Sequence, residues 1–112
     1  MNKRIRDIKK DRYTDMYKAI LTLRTVDECM RFFDDLCSAT ELRAIEQRYQ
    51  VAVLLSEGNI YNDILEQTGA SSATISRVNR SLQYGADGYE IVFKRLAEQK
   101  ELDERQTEDS EK

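Results

Sequence analysis

The side chains whose types and spacing could do chemistry are concentrated in one stretch, Ser71-Ser-Ala-Thr-Ile-Ser-Arg-Val-Asn-Arg80. Read as a helix with a serine cap, it turns Ser72, Ala73, Thr74, Ser76, Arg77 and Arg80 to one side, all of them small, hydroxylated or cationic. The chemistry these residues suit is recognition. Hydroxyls bond bases or phosphates, the methyls of Ala73 and Thr74 can touch thymine methyls, and Arg77 and Arg80 can neutralise phosphates or bond guanine. The N-terminus of such a helix also favours a phosphate oxygen. Bond-making chemistry has little to work with. The chain has no histidine, so base catalysis would fall to carboxylates, lysines or a cysteine thiolate. Asp34 and Asp35 are neighbours that point apart on a helix. Cys29 and Cys37 sit on an apolar stripe, where they read as buried, inert thiols. No P-loop or G-x-G-x-x-G is present. The expectation is a protein that is not an enzyme.

The stretch needs elements to position it. Upstream lies Tyr61-Asn-Asp-Ile-Leu-Glu-Gln-Thr68, then Gly69 and Ala70. The interruption is short enough for one sharp turn between two helices. Gly69 supplies tolerance of positive φ. Ile64 and Thr68 before the turn, with Ala70, Ile75 and Val78 after it, can pack the two helices together. Ser71 or Ser72 can cap the second helix. A helix-turn-helix at about residues 60–84 is one reading; a plain helical hairpin with a serine-rich cap is the other.

Apolar residues recur at helical spacing through the rest of the chain. A first segment carries Tyr13, Met16, Tyr17, Ile20, Leu21 and Leu23. A second opens with Thr25-Val-Asp-Glu28 and a third with Ser38-Ala-Thr-Glu41, both fitting a capping box. The second shows a stripe of Val26, Cys29, Met30, Phe33, Leu36 and Cys37. The third is long and reaches Gly58, which suits its C-terminal cap. A sixth starts near Asp87 and carries Tyr89, Val92, Phe93 and Leu96. No segment alternates with period two, so the fold class is all-α. Phe32-Phe33 and Val53-Leu54-Leu55 widen the apolar surface beyond one seam. A dimer with interleaved helices covers such surface more readily than a monomer does.

Composition agrees. The 112 residues are 40% apolar and 35% charged, with no proline and four glycines, as suits a single helical domain. No run approaches a membrane span and none resembles a signal peptide, so the expected location is the cytoplasm, with no membrane partner. The net charge of −3 does not itself point to nucleic acid, and residues 61–84 balance Arg77 and Arg80 against Asp63 and Glu66. Charge is uneven, however. Residues 1–12, a basic and partly disordered N-terminal arm, hold Lys3, Arg4, Arg6, Lys9, Lys10 and Arg12 and could touch phosphates. Residues 103–112 read as a disordered acidic tail, leaving 13–102 as the helical domain.

At Gly69-Ala-Ser-Ser-Ala-Thr-Ile-Ser-Arg77, followed by Ser81-Leu82, the sequence resembles the Trp repressor family, and most closely its YerC/YecD-type members. The resemblance extends upstream through "ATELRAIEQRYQVAVLLSEG" and covers roughly residues 13–97. It implies an intertwined helical homodimer whose two chains build one core. It also implies two helix-turn-helix heads docking about 34 Å apart on a palindromic double-stranded DNA operator. The implied function is a sequence-specific transcriptional regulator, most simply a repressor. Matching the motif assigns Ser71, Ser72, Ala73, Thr74 and Ser76 to the DNA face; Arg77 and Arg80 join them on physical grounds. The rival reading is a helical dimer that binds a partner protein instead of DNA.

The resemblance also implies a site for an amino-acid-like corepressor, whose identity stays open; no other cofactor is expected. In the Trp repressor two arginines flank the bound indole, and binding tilts the heads into register. Arg48 and Arg77 fall at the matching places, Ser81 near the ligand's amino group, and Ser38 near a carbonyl-contributing threonine. A phosphate contact or a surface salt bridge is the alternative for the two arginines. Two departures set this chain apart. Val78 stands where the Trp repressor has glycine, and a β-branched side chain there takes space a ligand needs. The loop near Asn59–Tyr61 is one residue shorter.

Overall fold

The computed structural model describes residues 12–111, and every regular element among them is an α-helix. The helices are α1 (Thr14–Ile20), α2 (Val26–Leu36), α3 (Ala39–Ser56), α4 (Tyr61–Thr68), α5 (Ser72–Tyr84) and α6 (Gly88–Glu111). The basic residues Lys3 to Lys10 of the expected arm lie outside the described residues. Its last member, Arg12, lies over the Tyr17 ring, 5.3 Å from the centroid, and donates to the Tyr17 hydroxyl. The described residues fall into two compact units that divide between Arg43 and Ala44.

In the first unit, local chemistry sets the helix starts. The Thr25 side chain accepts from the Glu28 N–H at 3.1 Å, while Glu28 accepts from the Arg24 N–H at 2.9 Å. At α3 the box is fully reciprocal. Ser38 Oγ accepts from the Glu41 N–H at 3.2 Å, and the Glu41 carboxylate accepts from the Ser38 N–H at 2.8 Å. The backbone N–H of Ser38, then its side chain, holds the Glu41 carboxyl below the usual glutamate value. A depressed carboxyl stabilises the fold above its unfolded pKa and loses that contribution as pH falls through the lowered value. Acidification is therefore expected to release the Ser38 amide from Glu41. An NMR titration should show its amide shift following a midpoint below the ordinary glutamate range, and Glu41→Ala should abolish that transition.

No residue of α1 or α2 is buried. Leu21 is 83% exposed, Val26 77% and Met30 61%. Cys29 is exposed and Cys37 half-buried, which corrects the reading of both as buried thiols. The reason is that the apolar stripe of α2 carries Cys29 and Met30 without packing against anything that covers them in a single chain.

The second unit holds the core. Val51 and Ala52 from α3, Ile64 from α4, Ala70 from the turn, and Ile75 and Val78 from α5 are buried together. Leu54, Leu55, Leu65, Leu82, Tyr89 and Phe93 pack around them. At the end of α3, Gly58 adopts φ +87° and its N–H donates to Leu55 O. Asn59 donates from both backbone and side chain to Leu54 O. This is a Schellman closure that leaves few orphan carbonyls. Helix α6 packs its aromatic start against α3, with the Tyr49 and Phe93 rings 6.0 Å apart and the Tyr89 and Phe93 rings 5.9 Å apart.

Helix α6 then continues through Glu111. This corrects the expected disordered tail from residue 103. Loss of the apolar period removes a packing face, but the residues are mostly strong helix formers with no proline or glycine. Thr107 and Ser110 hydroxyls donate to carbonyls one turn earlier, at 3.0 and 2.9 Å. No helix among the described residues is long and apolar enough to cross a membrane.

Candidate nucleic-acid interface

The turn between α4 and α5 is closed from both sides. Gly69 takes φ +70° and its N–H donates to Leu65 O at 2.9 Å. Thr68 Oγ1 donates to Ile64 O at 2.7 Å and accepts from the Ala70 N–H at 3.0 Å. Gln47 on α3 donates to Thr68 O at 3.1 Å, tying the end of α4 to the long helix. Ala70, Ile75 and Val78 then turn inward against Ile64, so the opposite face of α5 is left to solvent.

Ser71 is the N-cap of α5. Its hydroxyl accepts from the Thr74 N–H at 3.1 Å and lies 3.0 Å from Thr74 Oγ1. Ser71 and Thr74 are thus engaged with one another, and Thr74 is half-buried. Ser72, Ala73, Ser76, Arg77 and Arg80 are exposed. The ion pairs among the described residues are Lys18–Asp15 and Arg31–Asp27, so neither Arg77 nor Arg80 is neutralised there. The outcome is a slim hydroxyl-rich helix tip followed by two uncompensated guanidinium groups. Ser71→Ala is expected to destabilise the helix pair by about 1 kcal/mol through loss of the cap. A chemical-denaturation midpoint lowered at unchanged slope would report it.

The residues considered for a small ligand are only partly brought together. Arg77 and Ser81 lie one turn apart, with Ser81 Oγ donating to Arg77 O at 3.3 Å. They line a cleft of about 240 Å³ with Arg80, Tyr84 and Gly85. Arg48 is exposed on α3, and the Ser38 hydroxyl caps α3 in the other unit. Val78 is buried in the core and does not line the cleft. Ser81 also borders a larger apolar cleft of about 410 Å³ with Tyr49, Gly85, Ala86, Gly88, Tyr89 and Val92. Sequence reasoning passed over Tyr84, which is 80% exposed. Its signal was available, since it stands one helical turn beyond Arg80. Gly85 closes the arrangement. Its N–H donates to Ser81 O, and a Cβ placed there would stand 2.3 Å from that oxygen.

A family profile described as Trp repressor protein matches residues 11–97. The chain belongs to the Trp repressor family. Members of the Trp repressor family are DNA-binding regulators and not enzymes. The chain is 51% identical over 83 residues to the uncharacterized protein YerC of Bacillus subtilis (strain 168), covering 74% of this chain and 80% of that one. Among Trp repressor-like structures, it superposes on a TrpR-like protein from Eubacterium eligens ATCC 27750 with a TM-score of 0.76 and 49% identity, covering 82% of this chain and 95% of the other. A candidate Trp repressor from Staphylococcus aureus gives a TM-score of 0.76 at 42% identity, covering 86% and 96% of the two chains.

Proposed function

We propose that the chain is a sequence-specific DNA-binding transcriptional regulator, a repressor acting by occupancy of a palindromic operator in the cytoplasm. The observation that carries this reading is the solvent face of α5. Directly after a positive-φ glycine turn it presents small hydroxylated residues and then Arg77 and Arg80, neither paired with a carboxylate among the described residues. The α4–α5 pair acts as a helix-turn-helix: α5 enters the major groove tip first, and the α5 N-terminus favours a phosphate.

The operator is read by a homodimer. The uncovered apolar side chains of α1 and α2 support this, because a second copy would cover them as part of an intertwined core. An amino-acid-like corepressor is compatible with the cleft shared by Arg77 and Ser81, whose guanidinium and hydroxyl suit a carboxylate and an amine.

The test is selection of bound DNA from a random pool at several salt concentrations, with and without tryptophan. A palindrome should emerge, and its retention should fall steeply as salt rises. Recovery only with tryptophan would assign the corepressor. The apolar exposure of α1 and α2 also favours a second reading, a dimeric module that binds a partner protein. Negligible DNA retention even at low salt would favour that module.

A further inference from the structure

We propose that Arg80 fixes the operator's sequence by reading one guanine in each half-site, while Arg77 takes the adjoining backbone phosphate; this rests on the DNA-binding reading above. Ser72, Ser76 and Arg80 recur every four residues along α5, so they form one shallow stripe that drifts by about 40° per step. Arg77 is turned about 100° from Ser76 and about 60° from Arg80. The tip that enters the groove is built from Ser72, Ala73 and Ser76. The direction of that stripe is therefore the direction of the base edges, and Arg77 faces the groove wall.

Long side chains on a helix lean toward its N-terminus and cover the preceding turn. Arg80 borders the cleft with Arg77, Ser81, Tyr84 and Gly85, and when extended along the helix on binding it reaches over Ser76, about 6 Å nearer the tip. Ser76 is small and exposed and leaves that path open.

The other long donors on α5 are less suited. Asn79 and Gln83 are engaged with each other, the Gln83 amide donating to Asn79 Oδ1 at 3.4 Å. Ser71 and Thr74 use their hydroxyls on the cap. The two serines of the stripe offer hydroxyls that bond either acceptors or donors and so discriminate weakly. A guanidinium fork, by contrast, matches the O6 and N7 acceptors of guanine together. A planar fork on the base-facing stripe, with no carboxylate paired to it among the described residues, makes Arg80 the one α5 side chain that combines reach, direction and bidentate geometry.

The experiment is selection from a random DNA pool by the full chain, run in parallel for wild type, Arg80→Ala, Arg80→Lys and Arg77→Ala. Affinities for the selected site are then measured with guanine or 7-deazaguanine at the assigned position. Wild type should select a guanine at one position, symmetric about the dyad, and should lose affinity when 7-deazaguanine removes the N7 acceptor. Arg80→Ala should lose the preference at that position alone and bind the selected site about ten- to hundredfold more weakly per half-site, with equal affinity for the two bases. Arg80→Lys keeps the charge without the fork, so it should keep the salt dependence and relax the guanine preference. Arg77→Ala should weaken all sites alike and flatten the slope of log affinity against log salt by about 0.9 per half-site. Circular dichroism should be unchanged in each variant, since both arginines are exposed. An Arg80→Ala protein that still selects the guanine, or that distinguishes guanine from 7-deazaguanine as wild type does, overturns the assignment and leaves DNA binding standing. A wild-type chain that retains no DNA overturns both.

Discussion

Met30→Glu is expected to convert the proposed dimer to a monomer and to remove the proposed operator retention with it. Met30 is 61% exposed in the single chain and lies on the same apolar stripe as Val26, Phe33 and Leu36. In an intertwined dimer that stripe is covered, and a charge placed under the cover has no partner. Breaking the pairing of a buried charge costs about 3–5 kcal/mol, so an unpartnered one should raise the dimer dissociation constant roughly a hundred- to several-thousandfold. A two-fold assembly carries the substitution twice, which adds to the effect. Sedimentation equilibrium at micromolar concentration should report the mass, and a gel-shift titration on the selected palindrome should report the lost retention. Met30→Leu keeps the apolar volume and should leave both unchanged. A Met30→Glu protein that remains dimeric and binds normally would remove α2 from the interface.

Ile75→Ala should have the second large effect, on stability. Ile75 has no exposed surface, and among the described residues the fully buried core around it is Val51, Ala52, Ile64, Ala70 and Val78. Truncation of a buried isoleucine to alanine costs about 2–5 kcal/mol, through lost transfer energy and the cavity left behind. In so small a core few neighbours can collapse into the gap, so the upper half of that range is expected. Ile75→Val should cost only about 1 kcal/mol. Urea denaturation measures both values. Hydrogen exchange should show protection lost first along α4 and α5, because Ile75 is buried with Ile64 and Val78 where those two helices meet. DNA affinity should fall for Ile75→Ala although the side chain never reaches solvent, since the tip it supports no longer holds one position.

The contrast between legible and illegible parts has physical causes. The turn could be read because Gly69 sits between two apolar periods, and because Ile64, Ile75 and Val78 have the spacing that only a helix pair buries together. The Ser38 and Thr25 boxes were equally plain, since capping depends on residues within one turn. The engagement of the Thr74 hydroxyl with Ser71 was not legible, as a hydroxyl's rotor is decided by its neighbours and not by residue type. The exposure of Cys29 could not be foreseen either: an apolar stripe announces that it wants cover without saying which chain supplies it. Beyond Leu102 the fading period marked the end of packing, and the helix ran on because Glu, Gln and Arg favour it without a partner. The clefts beside Ser81 depend on where α6 departs, which no local pattern encodes.

The glycine that closes α5 has a mechanical consequence. With no room for a methyl group beside the Ser81 carbonyl, the bend into α6 is tight, and the Tyr89 and Phe93 rings set α6 against Tyr49. A hinge at the rear of helix α5 would act on a rod of 13 residues, about 20 Å long. A swing of about 10° at that hinge displaces the front of the rod by roughly 3.5 Å, more than a hydrogen bond tolerates. A small disturbance beside Gly85, far from any base pair, would therefore be magnified by leverage into complete loss of register at the duplex.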